Sequence, residues 1–338
     1  MGDPLGIGPE IIAASWVDDR VQASSRRVVF GQTAVMQRAV ELVGLGLEVR
    51  PVNDLTSIPD DADWIPVRDI PGPPLDWTAI GRVDAAAGRI AHDCIVAAAQ
   101  TALSGEVAGM VTAPINKASL SAAGCSQIGH TELLAEVTGV TDEAMLLYMP
   151  PGATIPHHEV GLGVVHTTLH IALRDVFGHL SVERIVSRCR AISDFVDRLL
   201  RARQRHRAPR VAVAALNPHG GEQGLFGREE LEIIGPAVRE SQGLGLPVTG
   251  PWPVDTLMAR AVGGEFDAVV AMYHDQGHIA LKLLGMREAV NVTLGLPIVR
   301  VSVAHGTAFE IAWQGRADCG SMIQSICLAA QLVRSLNH

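Results

Sequence analysis

Runs of β-branched and small apolar residues recur along the chain, and between them apolar positions return every three or four residues. The first pattern predicts strands and the second amphipathic helices, so the alternation is that of an α/β protein. Strands are expected at Arg27–Gly31, Ala108–Thr112, Leu162–Val165, Val211–Ala215 and Ala268–Met272. The last three are apolar without alternation, as in parallel strands covered on both faces. Helices are expected over Thr33–Val43, Asp84–Ser104, Arg228–Gly243 and Asp318–Leu336, with a long one capped by Ser181 and running to about Gln204. Glu183 in its first turn and arginines near its end suit the helix dipole. Asp54–Asp76, rich in Pro and Asp, reads as an irregular excursion, and Pro150–Glu159 as a loop or hairpin tip.

Each of the three apolar strands runs into a turn bearing a histidine: His170 in VVHTTLH, His219 in LNPHGGE and His274 in AMYHDQGH. Open α/β sheets bind ligands beyond the carboxyl ends of their strands, so three imidazoles delivered this way can converge. One strand-end histidine alone is more often structural. Three, two of them beside Gly-rich turns, point instead to a divalent metal with open positions for substrate or water.

The 338 residues fit two domains or one large α/β unit with an elaborated second lobe. Hydrophobic residues make up 48% and aromatics only 4%, so Ala, Val, Leu and Ile must build the core. A net charge of −9 argues against a nucleic-acid surface. The one basic run, Arg201–Arg207, closes a helical pattern. The five cysteines form no CxxC pair, the usage of a reduced, cytoplasmic protein. No apolar run approaches the roughly 18 residues a membrane helix needs, and no signal peptide opens the chain.

Other motifs carry polar chemistry. Gly2–Glu10 (GDPLGIGPE) is a Gly/Pro loop entering a helix, either an anion-holding N-terminus or a plain tight turn. Such a loop ordinarily leaves a buried strand, and none precedes it here, so the chain is expected to begin upstream or to open at a strand's end. Gly129–Glu132 (GHTE) sets His130 and Thr131 at a helix start, either as ligand donors or with Thr131 as a simple cap. His274, Lys282, Asn291 and Arg300 follow at eight- to nine-residue intervals, and Lys with Arg and Asn suits a phosphate or carboxylate. Lys282, between two leucines, is expected to be buried near an anion. His305–Gly315 (HGTAFEIAWQG) offers a turn, backbone donors and a helical stretch, and no GxGxxG follows a strand.

GDPLGIGPE, TAPINK, GHTE, LNPHGGE, GPWPVDT, AMYHDQGH, NVTLGLPIVR and HGTAFEIA, in this order from Gly2 to about Ser321, resemble the 4-hydroxythreonine-4-phosphate dehydrogenase family. The resemblance implies an α/β, two-lobed isocitrate/isopropylmalate dehydrogenase-like fold with a mostly parallel core sheet and the active site in the interlobe cleft. It implies a homodimer with a shared site, NAD held without a Rossmann motif, and a divalent metal (Zn²⁺, Co²⁺, Mg²⁺ or Mn²⁺). His170, His219 and His274 match the metal ligands, His274 coming from the partner subunit. His130, Thr131, Lys282, Asn291 and Arg300 match substrate contacts, and Lys282 and Asp255 are the catalytic candidates. His305, Gly306, Thr307 and Ala308 resemble the loop that holds the nucleotide. Ala304 and Trp313 depart from the family's usual Asp and Gly, which puts cofactor contacts there in question.

The implied reaction is NAD-dependent oxidation and decarboxylation of a 4-phosphorylated 3-hydroxy acid of the 4-phosphohydroxy-L-threonine type. Paralogues acting on 4-phospho-D-threonate or 4-phospho-D-erythronate are the alternative, and HDQGHIALK leans toward them. Asp255 or Asp275 would orient a metal ligand or relay a proton. A metal-dependent phosphatase or hydrolase, and a sugar-phosphate-binding protein, are the remote alternatives. Residues 1–115 with 290–338 are expected to form the nucleotide-side lobe, and 116–289 the dimerisation and metal/substrate lobe.

Overall fold

The computed structural model describes residues 1–59, 63–285 and 287–336. Its eleven strands are β1 (Val29–Gly31), β2 (Val49–Pro51), β3 (Ile65–Asp69), β4 (Gly109–Thr112), β5 (Ala144–Met149), β6 (Leu162–His166), β7 (Val211–Ala214), β8 (Val248–Trp252), β9 (Ala268–Ala271), β10 (Val290–Leu294) and β11 (Val299–Val303). The chain divides into two compact units, Met1–Glu143 with Leu296–Val333, and Ala144–Gly295 with the residues from Arg334. The division falls later in the chain than the sequence pattern suggested. Residues 116–143 go with the first unit, not with the middle of the chain.

In the first unit a small parallel sheet has the order β1-β3-β2. Its central strand lies inside the segment read from sequence as an irregular excursion; residues 60–62 of that segment lie outside the described residues. Pro and Asp at both ends masked a short run, Ile65-Pro66-Val67, that is buried throughout. Val35, Met36, Ala39 and Val40 of helix Thr33–Leu42 pack on this sheet together with Ile90 and Cys94 of helix Ala85–Leu103. Asp84 caps the latter by accepting from the Ala87 amide at 2.8 Å. Strands β4 and β11 pair in parallel, with Arg300 opposite Met110 and Ser302 opposite Thr112.

In the second unit the strand order is β10-β5-β6-β9-β7-β8. Strands β6, β9, β7 and β8 run parallel, while β5 pairs antiparallel with both β6 and β10. Helix Val182–Ala202 packs on β6, β7 and β9. It buries Ile185, Cys189, Ile192, Val196 and Leu199, and Ser181 caps it by accepting from the Arg184 amide. The C-terminal helix spans Gly320–Arg334, shorter at both ends than expected. No helix of the described residues is long and apolar enough to cross a membrane.

Candidate active site

Strands β6, β9 and β7 are parallel neighbours, so His170, His274 and His219, each just past the end of one of them, stand beyond the same edge of one sheet. The ring centroids of His170 and His274 are 5.8 Å apart within one chain. Nδ1 of His274 lies 2.7 Å from Oδ1 of Asp275. A carboxylate only accepts, so Nδ1 of His274 is the donor in this contact. Asp275 is thus the aspartate that meets a strand-end histidine. The three strand-end imidazoles suit a nitrogen-preferring cation, although no group of three or more His, Cys, Asp or Glu among the described residues closes around one in the single chain.

The structure adds two histidines that sequence reasoning passed over. His166 ends β6 and His278 lies one turn after His274 on helix His274–Gly285. Nδ1 of His278 is 3.0 Å from Nε2 of His166, and the His278 ring stacks on His274 at 3.9 Å with a 10° interplanar angle. The Met145 carbonyl, 3.4 Å from Nδ1 of His166, draws the proton to that nitrogen and leaves Nε2 to accept. Burial, then nearby charge, brings His278 down to about 3, with Lys282 among the contributors, and burial brings His166 to about 4. Both rings are neutral at physiological pH. The HDQGH spacing, i to i+4 on a helix, was the available signal.

Lys282 is half-buried on the same helix, while Leu281 is buried and Leu283 is 81% exposed. Lys282, expected to be buried, is thus covered only in part. Asn291 is half-buried on β10, opposite Leu147 of β5.

His219 sits in a loop of unusual hand. His219, Gly220, Gly221, Glu222 and Gln223 have φ of 53°, 67°, 78°, 43° and 55°. L-residues other than glycine adopt such angles at a cost of about 1–2 kcal/mol each, and three of the five carry a Cβ. Helix Val254–Val262, which holds the exposed Asp255 in its first turn, packs against this loop.

In the first unit, Arg300 of β11 is 4% exposed and its Nη2 donates to Thr112 Oγ1 at 2.7 Å. Burial lowers the guanidinium to about 10, still fully charged at neutral pH. His130 opens helix His130–Thr138 behind the N-cap Gly129, so Thr131 is the second helical residue and not the cap. Burial, then the Arg300 charge, holds His130 well below its ordinary value. Its shielded Nε2 has no hydrogen-bond partner among the described residues. A buried guanidinium whose charge reaches an imidazole at a helix N-terminus is a combination that could take an anion.

The GDPLGIGPE loop packs on HGTAFEIA in the same unit. The Ile7 amide donates to Thr307 O at 3.1 Å, and a Cβ on Gly6 would fall 2.9 Å from the Thr307 side chain. Ala308 holds φ of 43°, and the buried Nε2 of His305 lacks a partner among the described residues. Only a short 3₁₀ turn, Phe309–Ile311, follows Ala308 where a helical stretch was expected. Trp313 has φ of 59°, the left-handed conformation a glycine would take freely, and Trp77 packs edge-on against it at 5.1 Å.

The chain is 44% identical to the D-threonate 4-phosphate dehydrogenase of Pectobacterium atrosepticum, over 98% of this chain and 97% of that protein. It is 42% identical to the 4-hydroxythreonine-4-phosphate dehydrogenase of Desulfosudis oleivorans, over 97% of this chain and 93% of that one. The crystal structure of 4-hydroxythreonine-4-phosphate dehydrogenase from Klebsiella pneumoniae superposes with a TM-score of 0.82 at 42% identity, covering 98% of both chains. Residues 23–329 match the model of the family described as pyridoxal phosphate biosynthetic protein PdxA, and the chain belongs to that family.

Proposed function

We propose that this protein is an NAD-dependent, divalent-metal-assisted dehydrogenase that oxidises and decarboxylates a 4-phosphorylated 3-hydroxy acid. The observation that carries the reading is the order β6-β9-β7, which sets His170, His274 and His219 beyond the ends of three adjacent parallel strands. His170 and His219 of one chain, with the His274 that the partner subunit would supply, would hold the cation, and His305–Ala308 would take the nucleotide. NAD supplies the hydride acceptor, and the cation supplies Lewis acidity toward the alcohol oxygen and the ketone made from it.

The chain's own residues do the rest. The Arg300 guanidinium and neutral His130, with Thr131, bind the substrate's anionic groups, as do Lys282 and Asn291. An anionic group held in this way restricts the orientations open to the hydroxyl-bearing carbon. Half-buried Lys282 also holds the carboxylate until it leaves as CO₂. Asp255, in the solvent-facing first turn of its helix, exchanges the proton with water.

A homodimer fits this reading, because one chain leaves the three-histidine set open and exposes apolar side chains on the unit that bears it. Leu225 is 74% exposed, and Ile279 and Leu283 lie exposed one turn apart on the helix that starts at His274. All five cysteines are free, in keeping with a cytoplasmic site of action. The substrate is of the 4-phosphohydroxy-L-threonine type. The 44% identical D-threonate 4-phosphate dehydrogenase favours 4-phospho-D-threonate as the second reading.

The test is a parallel assay of NAD⁺ with 4-phosphohydroxy-L-threonine, 4-phospho-D-threonate and 4-phospho-D-erythronate. NADH formation without phosphate release is expected from one of them. Phosphate release without NADH would indicate a hydrolase, and binding with neither would indicate a sugar-phosphate-binding protein.

A further inference from the structure

The left-handed loop that carries His219 needs an external restraint, and the structure places one beneath it. Glu230 is 5% exposed. Its Oε1 accepts from the backbone amides of Leu216 at 2.8 Å and Asn217 at 2.7 Å, and its Oε2 accepts from Asn217 Nδ2 at 2.9 Å. Glu229 accepts from the same Nδ2 at 2.6 Å. Leu216 and Asn217 are the two residues from which the loop Pro218–Gly224 departs. The fit is close on the other side as well. A Cβ on Gly221 would lie 2.6 Å from Glu230 Oε2 and 3.0 Å from Gly227 O.

The backbone around Glu230 is also irregular. Glu230–Ile234 is a π-turn that opens into the α-helix Gly235–Gly243, with Pro236, which has no amide proton to give, at the junction. Single π-turns of this kind are frequent at functional sites. Buried carboxylates that accept several N–H bonds hold backbone rigidly, since losing the acceptor strands every donor.

We propose that Glu230 is the positioning residue for His219: its carboxylate clamps the Leu216–Asn217 stem, which keeps the left-handed turn and its imidazole set for the divalent cation. This rests on the reading of His219 as a metal donor. Glu230 itself touches neither metal nor substrate, and acts through the loop.

The experiment titrates Co²⁺ into the full-length protein, read by calorimetry and by the visible absorption of bound Co²⁺, for the unaltered chain, His219→Ala, Glu230→Gln and Gly221→Ala. Thermal midpoints are recorded on the same samples. Glu230→Gln replaces one accepting oxygen with a donor that faces other donors. It is expected to weaken Co²⁺ binding at least tenfold and to change the absorption spectrum, with the thermal midpoint within a few degrees. Gly221→Ala, which presses on the carboxylate from the loop side, is expected to do the same, and it decides the matter if Glu230→Gln does not fold. If His219→Ala weakens Co²⁺ binding while the folded Glu230 and Gly221 variants bind as the parent does, Glu230 is only structural and the proposal is overturned. Unchanged Co²⁺ binding in His219→Ala overturns the metal reading itself, and the proposal with it.

Discussion

His278 donates from Nδ1 to Nε2 of His166 at 3.0 Å while its ring lies flat on His274 at 3.9 Å, so one buried imidazole joins a strand end to a helix start. The contact exists because Gly277 has no side chain. A Cβ there would fall 2.5 Å from Val164 Cγ1 and 2.8 Å from His166 Nε2. Gly277→Ala is therefore expected to destabilise the protein by about 1–3 kcal/mol through overpacking. His278→Leu, which leaves a buried nitrogen without its partner, should cost a similar amount, about 1–3 kcal/mol. Urea denaturation checks both, and wild-type midpoints for either would contradict the packing described.

Arg300→Lys keeps the charge but loses the planar fork that meets Thr112 at 2.7 Å. KM for the phosphorylated substrate is expected to rise about tenfold or more, equivalent to roughly 1.4 kcal/mol of binding. Steady-state kinetics at saturating NAD⁺ checks it. An unchanged KM would remove Arg300 from the anion site.

Chelation is expected to abolish NADH formation, with activity restored by Zn²⁺, Co²⁺, Mn²⁺ or Mg²⁺. His170→Ala, His219→Ala and His274→Ala should each weaken metal retention, measured as metal bound per chain after gel filtration. Full turnover after exhaustive chelation would refute the role of the cation.

Acid stability should depend on Asp267, which stands just before β9. Its carboxylate is 1% exposed and accepts from Arg207 at 2.6 Å and 2.8 Å and from Arg210 at 2.8 Å. Burial pushes its pKa up, but the two guanidinium groups more than reverse this, and the net value lies below the ordinary 3.8. A depressed carboxylate contributes stability that is complete above its unfolded value and lost as pH falls through the folded one. Asp267→Asn should thus lower stability near neutrality by about 2–3 kcal/mol. The penalty should shrink below about pH 4. Thermal melts from pH 3 to pH 7 would show this convergence, and a pH-independent difference would contradict it.

Leu283→Arg, at an 81% exposed position, is expected to weaken self-association while leaving the fold intact. Sedimentation velocity at micromolar concentration reads the outcome. A dimer of unaltered strength would place the interface elsewhere.

Much of this was legible from apolar patterning. Leu162, Val211 and Ala268 each begin a strand as the pattern predicted, because uninterrupted small and β-branched runs have few other buried solutions. Strands β5 and β10 were not foreseen: AMLLYM lacks any period that separates strand from helix, and VNVTL was read only as part of a polar motif. His166 was hidden by its own neighbours, as a single polar residue closing an apolar run looks like the strand's exit. The left-handed turn at His219 was half visible. Gly220 and Gly221 advertised it, but nothing in the identity of Glu222 or Gln223 announces a positive φ. That conformation is imposed by tertiary contacts, which local pattern does not encode.

The pairing of β6 with β9 and of β9 with β7 has a further meaning for variation within the family. Neighbouring strands lie about 4.8 Å apart, and the pleat repeats every two residues. The ladder is therefore a ruler with fixed graduations, Gly163 against Ala268 and Val211 against Ala268. A one-residue insertion within any of the three strands would turn its terminal side chains to the opposite face, so such changes are closed to drift. Insertions in the connectors beyond the ruler cost little. New substrate preferences in chains of this kind are thus expected to be written in loop length and loop residues, while the spacing of the three strand-end histidines stays constant.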